Sequence, residues 1–309
     1  MEGHMATLEG IIVPTVLYYD ADGAIDFDAC GRHFRMLEDG GVNGLFVLGS
    51  TGESFHLLPD ERIAFAQWAV DEVDGRVPLL VGTGDLVTDN AIALTRHARD
   101  IGADAAVLIC PWYWPPSERH LYRYYADVAD AVEMPLLIYN YPAMTGVSLS
   151  PRLILRLAME YPHIVGIKET INDPVELREV ATTVLPHRPD FAIFTGSDDL
   201  QLLNLVLGGR GAITTSSNFA YAVALALRRA FADGDLRAAA EHQKRLCSIA
   251  RLYALDPCLG MMTKEALYML NMGPEPIPRH PGLRLEQAQL DSMRQILAEA
   301  GLLPQQPRE

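Results

Sequence analysis

Short apolar runs alternate with longer amphipathic stretches along almost the whole chain. The runs are Ile11 to Leu17, Gly44 to Leu48, Val77 to Val81, Ala105 to Cys110, Pro135 to Tyr139, Ile164 to Lys168, Phe191 to Thr195 and Gly211 to Thr214. Each has the length of a strand and is rich in Val, Ile and Leu, the pattern of a sheet covered on both faces. Between them, apolar residues recur at three- and four-residue steps. Ile63, Ala66, Val70 and Val73 form one such helical face, and Ala91, Leu94, Ala98 and Ile101 another. Pro59-Asp60-Glu61 and Ser150-Pro151 carry helix-start signals. Gly40-Gly41, Gly102 and Gly208-Gly209 stand where a helix hands over to the next strand, a place for a left-handed cap. Eight strand–helix units by about residue 232 predict an α/β protein, a (β/α)8 TIM barrel over residues 7–232. Residues 233–303 keep helical periodicity and are expected to form a C-terminal helical extension packed on the barrel. A doubly wound dehydrogenase would need a glycine fingerprint at its first turn, which here reads Tyr18-Tyr19-Asp20-Ala21-Asp22-Gly23.

Composition narrows the partners. Of 309 residues 25 are basic and 40 acidic, a formal net charge of -15 that repels nucleic acid and anionic membranes. A local cation can still hold a small acidic substrate against that distant field. Cys30, Cys110, Cys247 and Cys258 are widely spaced, without a CxxC pair or a histidine cluster, so neither a disulfide framework nor a zinc site is expected. A reducing, cytoplasmic setting fits that usage. Met1-Glu2-Gly3-His4-Met5 has no apolar signal region and reads as an expression remnant ahead of the natural start. No run approaches the length of a transmembrane helix.

In a barrel, the residues that follow each strand face the active mouth. After strand two comes Gly49-Ser50-Thr51-Gly52-Glu53, whose hydroxyls and backbone donors suit a carboxylate or phosphate, or merely cap their own turn. Gly82-Thr83-Gly84 lies mid-chain with Val87 at the sixth position and is a poor cofactor loop. Strand four ends in Cys110-Pro111-Trp112-Tyr113-Trp114-Pro115-Pro116, aromatics suited to a core, a pocket wall or another subunit. Strand five ends in Tyr139-Asn140-Tyr141-Pro142, where a phenol can pass a proton if a second hydroxyl relays it, or can simply bond the backbone.

Lys168 closes the apolar run Ile164-Val165-Gly166-Ile167. Desolvation there would lower its pKa and supply the neutral amine that attacks a ketone. Pairing with a carboxylate such as Glu169 accounts for the position equally well. Strands seven and eight end in Thr195-Gly196-Ser197-Asp198-Asp199 and Thr214-Thr215-Ser216-Ser217-Asn218. These groups could bind a polyhydroxylated substrate or cap the next helices. A metal is disfavoured because convergent ligands from other strands are missing.

Three segments in this order, GSTGE at Gly49 to Glu53, YNYPAMTG at Tyr139 to Gly146 and GIKET at Gly166 to Thr170, carry a resemblance. The chain resembles the family of dihydrodipicolinate synthase and N-acetylneuraminate lyase, the pyruvate-dependent class I aldolases, over the barrel and the helical tail. The resemblance implies that Lys168 forms an imine with pyruvate or a 2-keto acid, and that Tyr139 is the phenolic proton shuttle, helped by Ser50. It implies that Thr51 and the neighbouring backbone at Gly52 hold the pyruvate carboxylate, and that Gly196 and Ile213 line the imine pocket. Tyr113 matches an aromatic that reaches into a neighbouring subunit's site. Asp198, its acidic neighbour Asp199 and Thr215 match positions that meet sugar-acid hydroxyls.

One departure bears on the substrate. The synthases usually have an arginine where this chain has Met144, and methionine offers no donor to a second carboxylate. That disfavours the synthase role, and the combination of Pro-Trp-Tyr-Trp, YNYPAMTG and Gly-Ser-Asp-Asp is similar to 2-keto-3-deoxy-sugar-acid aldolases of the gluconate or galactonate type, which release pyruvate and a small hydroxyaldehyde. Other readings are a 4-hydroxy-tetrahydrodipicolinate synthase, a dehydratase using the same imine, and a non-enzymatic 2-keto-acid sensor. No cofactor or metal is expected, and a homo-oligomer, dimer or tetramer, is.

Overall fold

The computed structural model describes residues 8–303, so the remnant read at Met1 to Met5 lies outside the described residues. Eight parallel strands close into a barrel in chain order. They are β1 (Gly10–Pro14), β2 (Gly44–Val47), β3 (Leu79–Gly82), β4 (Ala105–Ile109), β5 (Leu136–Asn140), β6 (Ile164–Glu169), β7 (Ala192–Thr195) and β8 (Gly211–Ala212). Helices α1 (Phe27–Asp39), α2 (Pro59–Val73), α3 (Thr88–Asp100) and α4 (Glu118–Ala131) follow the first four strands. A short α5 (Pro142–Thr145) precedes α6 (Pro151–Glu160), and α7 (Pro174–Val184), α8 (Gln201–Val206) and α9 (Ser217–Ala232) complete the ring. Then come α10 (Leu236–Ala250), α11 (Leu259–Met269) and α12 (Gln287–Glu299). α10 and α11 pack on α9, and α12 lies against both.

Strand alternation sorts the core into two layers. Ile12, Phe46, Leu80, Val107, Leu137 and Phe194 point inward and fill the barrel. Their neighbours Val13, Leu45, Val81, Leu108, Ile138 and Ile193 join the larger shell between strands and helices. Closure is tight enough to require glycine. A Cβ on Gly211 would sit 1.9 Å from the Gly10 carbonyl oxygen, where β8 meets β1.

Local signals act as expected at several ends. Ser150 accepts from the Leu153 amide at 3.1 Å, with Pro151 in the first turn of α6. Gly41, Gly102 and Gly208 take φ of +80°, +89° and +92°. The face read on α2 is rotated. Ile63 is exposed and Val70 only partly covered, while Arg62, Phe65, Ala66, Ala69 and Val73 are buried. Arg62 turns inward because its guanidinium reaches Asp85 and the carbonyls of Gly82 and Gly84. Among the described residues no helix is long and apolar enough to cross a membrane.

Candidate active site

β6 owes the direction of its last residues to an irregularity. Leu136 of β5 pairs with Ile164, but the next residue, Leu137, pairs with Gly166, leaving Val165 as an extra residue. Val165 packs on the inner cluster and Ile167 belongs to the outer shell, so the bulge changes the phase of the strand. Lys168 then lies beside Tyr139 in register, and its Nζ sits 4.1 Å from the Tyr139 ring centre and 5.2 Å from that of Phe46.

Lys168 is 4% exposed, and among the described residues no carboxylate pairs with it. Desolvation alone lowers its pKa to about 7, which makes the neutral amine abundant near neutrality. Pairing with Glu169 is not what the fold builds, because consecutive strand residues face opposite ways. The Glu169 carboxylate lies in the outer layer, where it accepts from Asn140 Nδ2 at 2.8 Å, and burial raises its pKa to about 8.

Hydroxyls line the same cavity as the amine. Ser50 Oγ stands 3.4 Å from the Tyr139 phenol oxygen, and Thr51 Oγ1 lies 2.8 Å from Thr215 Oγ1. Burial raises the Tyr139 pKa above its usual value, so the phenol is protonated at rest. The GSTGE turn is held by left-handed residues on both sides, Leu48 at φ 59° and Glu53 at φ 50°. Glu53 is fully buried. Lys264 of α11, buried as well, donates to its Oε2 at 2.6 Å and to the Leu17 carbonyl at 3.1 Å. The C-terminal helices thus pin the turn that carries Ser50 and Thr51. Gly52 lies beneath it, where a Cβ would come 3.0 Å from the Thr15 carbonyl oxygen, and it does not line the cavity. Gly196 makes room for Thr170, whose Oγ1 would be 2.0 Å from a Cβ there.

Lys168 and Tyr139 open into a cavity of about 610 Å³, and Ser50, Thr51, Gly196, Asp199, Ile213 and Thr215 also line it. Besides Gly52, two expected residues stand elsewhere. Asp198 is completely buried and does not line the cavity: it accepts from Gln201 at 2.9 Å and Ser216 at 2.7 Å, and the Tyr253 phenol donates to its other oxygen. Its carboxylate joins the turn after β7 to Ser216 and Tyr253. Tyr113 is 95% exposed at φ 84° and does not line this cavity within its own subunit. Ser197 and Tyr141, from the strand ends already singled out, line the cavity too, and so do Asn172 and Tyr253, which were not foreseen. For Lys264, a charge inside the apolar helix LGMMTKEALYM was a signal of the same kind as Lys168. Tyr253 left no such mark. Among the described residues no group of His, Cys, Asp or Glu has a metal-binding arrangement.

The model of the dihydrodipicolinate synthetase family matches residues 7–300. The chain belongs to that family. As a member of the dihydrodipicolinate synthetase family it is a pyruvate-related lyase. It is 38% identical over 300 residues to Escherichia coli (strain K12) YjhH, covering 97% of this chain and 100% of that protein. YjhH is provisionally named a 2-dehydro-3-deoxy-D-pentonate aldolase. E. coli YagE, provisionally named a 2-dehydro-3-deoxy-D-gluconate aldolase, is 39% identical over 300 residues, covering 96% of this chain and 98% of that protein. The crystal structure of YagE in complex with pyruvate superposes with a TM-score of 0.93 at 38% identity, over 96% of this chain and all of that one. Dihydrodipicolinate synthase from Aquifex aeolicus superposes at 0.89 with 30% identity, over 96% and 99% of the two chains.

Proposed function

We propose that this protein is a Schiff-base aldolase that reversibly cleaves a 2-keto-3-deoxy sugar acid to pyruvate and a hydroxyaldehyde. The observation that carries the reading is Lys168, an unpaired buried amine with pKa lowered to about 7, beside a phenol and within one cavity. The provisional names of YjhH and YagE support the substrate class. So does Met144, a half-exposed lining residue where a second carboxylate would need a cation.

Neutral Lys168 adds to the C2 ketone, and the carbinolamine loses its hydroxyl as water with a proton supplied by the Tyr139 phenol, which leaves a protonated imine. The imine is the electron sink for the C3–C4 bond. Tyr139, relayed by Ser50, takes the C4 hydroxyl proton as that bond breaks, and the aldehyde departs. Because the phenol is protonated at rest, it can take that proton only after giving up its own at imine formation, and a second hydroxyl 3.4 Å away relays the transfer. Thr51 and Thr215 hold the carboxylate end. Protonation of the enamine at C3 and hydrolysis then release pyruvate and free Lys168.

Tyr113 enters this scheme only from another copy of the chain. Its exposure, and that of Trp114, Phe55 and Leu58 at 53%, 58% and 64%, support a homo-oligomer. A second cavity, lined by Trp112 and Phe55, also reaches Tyr139 and Ser50 and is where such a tyrosine would arrive.

Borohydride added with pyruvate should leave a stable adduct on Lys168, located by peptide mass spectrometry. Turnover without an adduct there would sink the mechanism. A panel of C5 and C6 2-keto-3-deoxy acids, scored for pyruvate and for dehydration products, separates aldolase from dehydratase.

A further inference from the structure

The first turn of α11 lies against the GSTGE turn, closely enough to require a glycine. A Cβ on Gly260 would stand 2.7 Å from the Thr51 carbonyl oxygen and 2.6 Å from Glu53 Cγ. Lys264, one helical turn further on, continues the same face of α11. Its Nζ donates to Glu53 Oε2 at 2.6 Å and to the Leu17 carbonyl at 3.1 Å, joining the segment after β1 to the turn after β2. The other carboxylate oxygen of Glu53 accepts from the thiol of Cys258, the residue that caps α11, at 3.8 Å. Pro257 and Leu259, on either side of that cysteine, line the cavity. The turn has little room to relax. Glu53 is held at φ 50°, a costly conformation for a residue with a side chain, and its amide donates back to the Ser50 carbonyl at 3.1 Å. Thr51 is buried, and its hydroxyl meets that of Thr215 at 2.8 Å. Glu53, Gly260 and Lys264 themselves do not line the cavity, so any effect they have on substrate passes through the turn.

We propose that Gly260 and Lys264 are positioning residues: acting through Glu53, they set the place of Thr51 and with it the fit of the pyruvate carboxylate. This rests on the reading that Thr51 holds that carboxylate. The aromatic neighbours of the Lys168 amine, Phe46 and Tyr139, belong to β2 and β5 and do not move with α11. A displaced turn should therefore loosen the hold on pyruvate and leave the amine chemistry as it was.

The test is borohydride trapping on Lys168 over a range of pyruvate concentrations and pH, with urea unfolding alongside. Gly260→Ala keeps the ion pair but pushes α11 off the turn. It should raise the half-saturating pyruvate concentration roughly tenfold, with the limiting trapping rate and its pH midpoint unchanged. Lys264→Met leaves Glu53 buried without its cation, and should lower both pyruvate affinity and the urea midpoint. Adding Glu53→Gln removes the stranded charge. In that double variant the urea midpoint should largely recover, while half-saturating pyruvate stays raised roughly tenfold. Arg284→Lys is the control for stability alone. It weakens the two-bond grip on Glu265, the residue after Lys264, and should lower the midpoint without changing pyruvate affinity.

The proposal falls if pyruvate affinity follows the urea midpoint across the set and recovers with it in the double variant. It falls too if Gly260→Ala binds pyruvate as the unaltered enzyme does, or if the pH midpoint of trapping moves, because α11 would then act on the amine. An unaltered enzyme that forms no adduct on Lys168 sinks the aldolase reading as well. An adduct whose pyruvate dependence none of the variants changes sinks the positioning role alone.

Discussion

An amine kept neutral in a protein interior is a stability liability, and Lys168 allows its size to be worked out. The native pKa is about 7 and the ordinary value 10.5. Below about pH 7 both folded and unfolded chains hold the proton, and the native state bears the whole difference, a penalty of about 5 kcal/mol. Between 7 and 10.5 the unfolded chain binds more protons than the folded one, so stability contributed by this site rises with pH. Relative to an uncharged side chain, the penalty is about 4 kcal/mol at pH 7 and about 2 kcal/mol at pH 9. Lys168→Met removes the titration while keeping most of the stem's volume, so the variant should be inactive and more stable. The stabilisation should shrink by about 2 kcal/mol from pH 7 to pH 9. Urea unfolding of both proteins, at one protein concentration and several pH values, measures that gradient. Differences in packing between the two side chains shift both ends alike and leave the gradient intact. A stability difference that stays flat between pH 7 and 9 would refute the argument that desolvation tunes this amine.

The same pKa sets activity: kcat/KM for pyruvate adduct formation should climb with pH and level off above about 7, where an ordinary lysine would keep climbing towards 10.5. Ser50→Ala, removing the partner 3.4 Å from the Tyr139 phenol, should lower kcat on the order of a hundredfold with little change in pyruvate KM, read by steady-state kinetics. Gly196→Ala, whose new carbon would lie 2.0 Å from Thr170 Oγ1, should cut adduct yield roughly tenfold while circular dichroism stays native. Tyr253→Phe takes a donor from the buried Asp198 and should cost about 1–3 kcal/mol in denaturant unfolding.

The barrel was legible because its signal is redundant. Eight apolar runs each stand for a strand buried on both sides, and an error of two or three residues at an end, as at Thr214 or Leu17, does not change the count. Helix faces were less secure. On α2, periodicity favoured Ile63 and Val70, yet Arg62 is the residue turned in, because three acceptors lie within its reach. A pattern of hydrophobicity cannot register a polar group whose burial is compensated by distant partners.

The direction of Lys168 was a subtler matter. Strict alternation from Val165 on the inner face would send Ile167 inward and Lys168 out to the helices. The bulge beside Gly166 reverses this, and Gly166 permits it, since a Cβ there would lie 2.4 Å from the Ala192 carbonyl oxygen. GIKET is thus a structural sentence as well as a chemical one: the glycine lets the strand shift phase and the lysine two residues later benefits. Alternation also had the means to decide against the Glu169 pairing, because whichever way Lys168 points, its neighbour points the other way.

Asp198 and Asp199 mark where local sequence runs out. They are adjacent, identical and follow the same strand, and nothing near them tells one from the other. What separates them is Tyr253, which the turn after α10 brings to Asp198 together with Ser216 from the loop after β8. One carboxylate thereby becomes part of the joint between barrel and C-terminal helices, and its neighbour is left facing the cavity. Lys264 does for the GSTGE turn what Tyr253 does for the turn after β7. The helical extension therefore helps shape the site from two sides, through one buried ion pair and one buried phenol–carboxylate bond. Which of the two adjacent carboxylates faces the cavity therefore depends on the one that the extension occupies.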